Sequence, residues 1–126
     1  MICEGLCGKN EMIVTPADTA AVMGSGTLDV LATPRVAALM EMTAWQSLGD
    51  ELEAGSTTVG TMLSLRHLAP TPVGRTVRCE SKLEKIDGRE LTFSLLVYDQ
   101  SGLIADAQHK RVIVDSARFT AKAGTR

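Results

Sequence analysis

The stretch TPRVAALMEMTAWQSLGDELEAGSTTVGTMLSLRH, residues 33–67, changes its period at Gly55. Before that glycine it reads as helix. Thr33 is a natural N-cap, Pro34 suits the first helical position, and good helix formers run on to Ala54. The spacing predicts a helix over 34–54, a rod of ~30 Å. Beyond Gly55 alternation takes over, with Val59, Thr61, Leu63, Leu65 and His67 on one row and Gly60, Met62, Ser64 and Arg66 on the other. That is the period of a half-buried strand.

The same period continues downstream. Val77, Cys79, Ser81 and Leu83 alternate with Thr76, Arg78, Glu80, Lys82 and Glu84, which should form the wetter face. Asp87-Gly88 is a two-residue hairpin signal, and Leu91, Phe93, Leu95 and Val97 make the next inward row. Gln100-Ser101-Gly102 turns the chain into a last long strand over 103–115. Pro70 and Pro72 keep 69–74 in a loop. Upstream, Glu11–Thr15 reads as a short strand closed by Pro16, and 17–32 as a small, glycine-broken segment with a helical turn near 17–22. One short strand, one long helix and four strands joined by tight turns predict an α+β domain: a curved antiparallel five-stranded sheet wrapped around one long central helix. The domain should cover 11–115, between a flexible N-terminal tail (1–10) and a C-terminal tail (116–126).

Composition narrows the partners. The 126 residues are 44% hydrophobic and 22% charged with a net charge of −2, an ordinary globular balance. No run of like charge suggests nucleic acid or an anionic membrane, and no apolar run approaches the ~18 residues of a membrane span. The first residues have no secretory core, so a cytoplasmic setting is expected. Three cysteines, an odd number without a second C-x-x-C, predict reduced thiols and no metal. Only Trp45, Phe93, Tyr98 and Phe119 are aromatic, and a core so short of large side chains favours burial against a second copy.

Two residues break apolar rows. At about 100° per residue, Pro34, Ala37, Ala38, Ala44, Trp45, Leu48 and Leu52 project within about 60° of Glu41, with Thr43, Gln46 and Asp50 opposite. A carboxylate there is costly unless paired, hydrogen-bonded or protonated; alternatively the stripe is open and Glu41 is solvated or paired with Arg35. His67 ends the row Val59–Leu65, either as a satisfied core histidine or as an imidazole facing the helix. A carboxylate and an imidazole on facing apolar surfaces make a general acid–base pair. Thr33, just over two turns before Glu41 and ~12 Å away along the axis, either caps the helix or binds. The two line opposite ends of a cleft or meet across a two-fold axis. Gly60 faces away from the Val59/His67 row and leaves its N–H open to a ligand, or marks a bulge.

Leu31-Ala32-Thr33-Pro34, Met40-Glu41, Thr57-Thr58-Val59-Gly60-Thr61 and Arg66-His67-Leu68-Ala69-Pro70-Thr71-Pro72-Val73-Gly74 together resemble the fluoroacetyl-CoA thioesterase-like branch of the hotdog-fold superfamily. Ala107-Gln108-His109-Lys110-Arg111-Val112 is similar to that branch's His-x-Arg strand. Over residues 11–115 the resemblance implies a hotdog fold, edge-to-edge dimers, acyl-CoA at the dimer interface, and a catalytic set of Thr33, Glu41 and His67 with Gly60 near the thioester. The implied function is acyl-CoA hydrolysis to acid and CoA, without a cofactor, CoA being part of the substrate. A non-catalytic acyl-CoA or small-ligand binding module on the same fold is the alternative. Arg111, and less directly Arg66 or Arg75, either holds CoA phosphates or is an ordinary solvated or interface charge. The fluoroacetyl-specific enzyme closes its pocket with aromatic lid residues, whereas 17–32 has none, so a short-to-medium or branched acyl group is expected. The assembly expected is a homodimer or a tetramer built from it.

Overall fold

The computed structural model describes residues 2–126. Five antiparallel strands form one sheet: β1 (Cys7–Ile13), β2 (Ser56–His67), β3 (Thr76–Asp87), β4 (Glu90–Asp99) and β5 (Gly102–Asp115), in the order β1-β3-β4-β5-β2. Three helices accompany them: α1 (Ala20–Met23), α2 (Thr33–Ser47) and α3 (Ser116–Gly124), with a 3-10 turn over Pro16–Asp18. The α+β sheet around one central helix is present as expected.

The core lies between α2 and the sheet. Val77, Cys79 and Leu83 of β3, Leu91, Phe93, Leu95 and Val97 of β4, and Ile104, Ala105 and Ala107 of β5 are buried against Val36, Leu39, Met40 and Ala44 of the helix. The opposite rows, including Lys82 and Glu84, stay wet, as the period of two requires. The Asp87-Gly88 hairpin closes with Asp87 paired to Glu90.

Several boundaries differ from the sequence reading. The helix ends at Ser47, not 54, because Gly49 takes a left-handed conformation (φ 54°) and its N–H turns back to the Gln46 carbonyl. β1 starts at Cys7 and pairs Cys7–Asn10 with β3, so these residues of the expected tail are sheet. Part of the expected C-terminal tail is α3, whose first turn is capped by Asp115 accepting from the Arg118 N–H.

The buried face of α2 is also rotated from the expected one. It runs through Val36, Leu39, Met40, Thr43 and Ala44, while Ala38 and Trp45 are exposed. Thr43 lies inside because its hydroxyl donates to the Leu39 carbonyl and accepts from Asn10 Nδ2, so its polarity costs little. Glu41 therefore sits on the rim of the buried face, its side chain 46% exposed.

Candidate active site

At the start of α2, Ala32 is the N-cap and makes no side-chain capping bond. Thr33 is therefore the first helical residue, and its hydroxyl is free of capping. It meets His67 at the end of β2, Oγ1 to Nδ1 2.8 Å. The other ring nitrogen of His67, Nε2, is buried with no hydrogen-bond partner among the described residues. Burial pushes the His67 pKa below its ordinary value and the Ala69 backbone draws it partly back. The ring is neutral near pH 7 and one of its nitrogens still lacks a partner.

Two turns further along α2, Glu41 faces a different group. Its Oε1 lies 3.6 Å from Arg111 Nη1 of β5, while Arg35 is taken by Asp18 at 3.0 Å. Gly60 lies against the same carboxylate: a Cβ there would fall 2.6 Å from Glu41 Oε1 and 3.2 Å from His109 Cε1. Gly60 reaches this face through a β-bulge. The β2–β5 register shifts between Gly60 and Met62, leaving Thr61 as the extra residue. Simple alternation put Gly60 and His67 on opposite faces, and the bulge corrects that by reversing the phase.

Arg111 is only 6% exposed, and each of its three nitrogens already has a protein partner. Nε donates to Thr58 Oγ1 (2.7 Å), Nη2 to the Thr58 carbonyl (3.0 Å) and Nη1 to His109 Nε2 (3.1 Å). Its charge is directed at Glu41 rather than toward a phosphate in solvent. Arg66 points away, paired with Asp106 through two hydrogen bonds of 3.0 and 2.6 Å. The sequence reading names Thr58 and His109 within the stretches that carry the resemblance but gives neither a function. Besides the His-x-Arg strand, the available signal was two polar residues, His109 and Arg111, following Ala105 and Ala107 on one inward row.

One chain thus holds two clusters, Thr33–His67 and Glu41–Gly60–Arg111–His109. Two surface cavities, of about 730 Å³ beside Leu52 and Phe119 and about 500 Å³ beside Gly8 and Leu96, lie away from both. Among the described residues no group of three His, Cys, Asp or Glu side chains is arranged to hold a metal.

Residues 14–117 match the family of fluoroacetyl-CoA-specific thioesterases. The chain belongs to that family. A fluoroacetyl-CoA thioesterase from Streptantibioticus cattleyicolor is 31% identical over 94 residues, 75% of this chain and 68% of that protein. The solved fluoroacetyl-CoA thioesterase FlK is 25% identical with a TM-score of 0.95, covering 100% of this chain and 98% of its own. A thioesterase-superfamily protein of Thermus thermophilus is 28% identical with a TM-score of 0.91, covering 99% and 93%. The fold is the hotdog, and this member of the fluoroacetyl-CoA-specific thioesterase family is a thioester hydrolase.

Two predictions follow from the site of this thioesterase. Gly60→Ala drives a methyl into the flexible end of Glu41 and to 3.2 Å from Cε1 of the buried His109 ring, so the carboxylate shifts and the ring must give by a few tenths of an ångström. With Glu41 acting at the acyl carbon, as proposed below, its displacement costs about 10²-fold in turnover, beyond what the accompanying loss of thermal stability explains; undiminished activity would contradict the placement of Gly60. The second concerns pH. Burial lowers the pKa of both His67 and His109, so the unfolded chain binds more protons below about pH 6.5. Their contribution is complete above that pH and is lost as pH falls through it toward the folded values. Asp18 and Asp106, whose pKa values are also lowered, act only below about pH 4. The urea midpoint should be lower at pH 5.5 than at pH 7.5, and equal midpoints would count against two buried neutral imidazoles.

Proposed function

We propose that the protein hydrolyses a short-to-medium or branched acyl-CoA to the free acid and CoA, as a homodimer whose active sites are shared between two chains. The observation that carries the shared site is the separation of the clusters. Thr33 and Glu41 stand just over two turns apart on one helix, ~12 Å by its rise, too far for both to reach one thioester carbon. A two-fold axis brings the Thr33–His67 pair of one chain to the Glu41 of the other. β2, twelve residues long, is an edge strand paired only with β5, and such an edge invites a second copy. Trp45, 50% exposed on the outer side of α2, adds apolar surface to cover. A tetramer built from this dimer uses the same sites.

In this site Glu41 acts at the acyl carbon, directly or through a water, and His67, neutral at rest, takes up a proton of the hydrolytic water and passes it to the departing CoA thiolate. Thr33 orients the imidazole, and Gly60 leaves room for the thioester beside the carboxylate. Water supplies the hydroxyl of the acid and no cofactor takes part. FlK bound to fluoroacetate and CoA supports a CoA-thioester substrate, and free thiols at Cys7 and Cys79 support a cytoplasmic setting. The lid is the segment 17–32, held to α2 by the Asp18–Arg35 ion pair and presenting Val22, Met23 and Leu28 to solvent. Without an aromatic it leaves space over a two-carbon acyl group, and each unfilled methylene-sized gap forfeits about 1 kcal/mol.

A panel of acyl-CoAs with a thiol reagent tests the reading. The expected result is CoA release with kcat/KM highest beyond two carbons. An optimum at two carbons with strong preference for fluorine would contradict the lid argument, and saturable binding without release would make the protein a binding module. Sedimentation should show a dimer at micromolar concentration; an active monomer would contradict the shared site.

A further inference from the structure

We propose that His109 is a positioning residue of this site: a neutral imidazole, protonated on Nδ1, that holds the Arg111 guanidinium toward Glu41 and fastens the bulge carrying Gly60. It rests on the hydrolase reading for its consequence in turnover, but its geometry stands apart from it. His109 is 1% exposed, opposite Leu63 of β2. Both ring nitrogens are engaged, Nδ1 with the Met62 carbonyl at 2.8 Å and Nε2 with Arg111 Nη1 at 3.1 Å. A carbonyl only accepts and a guanidinium only donates, so Nδ1 bears the hydrogen and Nε2 is bare. No other protonation state satisfies both partners.

Each contact has a consequence for Glu41. Met62 is the first paired residue beyond the register shift, so the Nδ1–H bond pins the bulge that turns Gly60 to the carboxylate. On the other side, Thr58 holds two nitrogens of Arg111 and His109 holds the third. Nη1 thereby stays 3.6 Å from Glu41 Oε1, near enough for the charges to act on each other without a hydrogen bond. Without the imidazole, Nη1 loses its acceptor and the adjacent acceptor is the carboxylate. The pair then closes and draws Glu41 toward β5, away from the acyl carbon. Phe93 packs beside the ring, centroids 6.3 Å apart, and limits its rotation. Arg111 and Glu41 are the charged groups whose fields reach it, and protonation would set a second buried cation beside Arg111.

Long-range proton–nitrogen NMR of the histidine rings in the intact wild-type protein, without substrate, reads the tautomer directly. The expected spectrum shows His109 protonated on Nδ1 and bare on Nε2 from pH 7.5 to 6. The opposite tautomer, or an imidazolium in that range, overturns the proposal. In kinetics, His109→Phe keeps the ring volume but neither hydrogen bond, and should lower kcat by about tenfold or more with KM within about threefold. His109→Gln, whose amide both donates and accepts, should recover part of that loss. Unchanged kcat in His109→Phe, or no recovery in a folded His109→Gln, overturns the positioning role. A chain with the expected tautomer that releases no CoA from any thioester overturns the hydrolase reading instead.

Discussion

Glu41→Gln lowers kcat/KM by about 10²–10⁴-fold, the range a general acid or base contributes, while the chain stays folded. The amide keeps the size of the side chain but carries no charge and cannot take a proton from water or bond to the acyl carbon as a carboxylate does. Half exposure of Glu41 limits what its charge adds to stability, and Arg111 keeps its three hydrogen bonds to Thr58 and His109. The loss therefore falls on turnover. Steady-state kinetics with a thermal melt on the same preparation check it, and a variant with full activity removes Glu41 from the chemistry.

His67→Ala gives a loss of similar size, about 10²–10⁴-fold. The imidazole is the partner of the Thr33 hydroxyl and, in the proposed reaction, relays the proton to the leaving thiolate. Its removal strands a hydroxyl that the helix cap does not use. With Glu41 and His67 serving one reaction, as proposed, the double variant should lose far less than the product of the single losses. A product-sized loss in the double variant would mean that the two act independently.

Much of this was legible in the sequence because two periods and a few turns determine it. The change at Gly55, the Asp87-Gly88 hairpin and the inward rows of β3 and β4 follow from side-chain geometry alone. The hidden features were those in which one residue reset a phase. Gly49 stops α2 with good helix formers still following it. Thr61, as the extra residue of the bulge, puts Gly60 and His67 on the same face. The apolar stripe around Glu41 misled because Thr43 is buried through backbone and Asn10 hydrogen bonds, while Ala38 and Trp45 face outward on the single chain. Glu41 was thus singled out by a stripe that is only partly buried: Ala44 and Leu48 lie inside, Ala38 and Trp45 do not. Its place in the account now rests on Gly60 and Arg111, which sequence distance alone does not bring to it. Thr33 looked like a cap, and only Ala32 in that position releases its hydroxyl to His67.

The proposed shared active site is tested most directly by mixing Glu41→Gln and His67→Ala protomers under conditions of subunit exchange and measuring CoA release. Each variant alone is nearly inactive. In a mixed dimer the wild-type Thr33–His67 pair of one chain meets the wild-type Glu41 of the other, while the second site carries both substitutions. Random exchange makes about half the dimers mixed, each with one intact site of two. Recovery toward about a quarter of wild-type activity per chain is expected; no recovery, with mixed dimers shown to be present, would contradict a shared site.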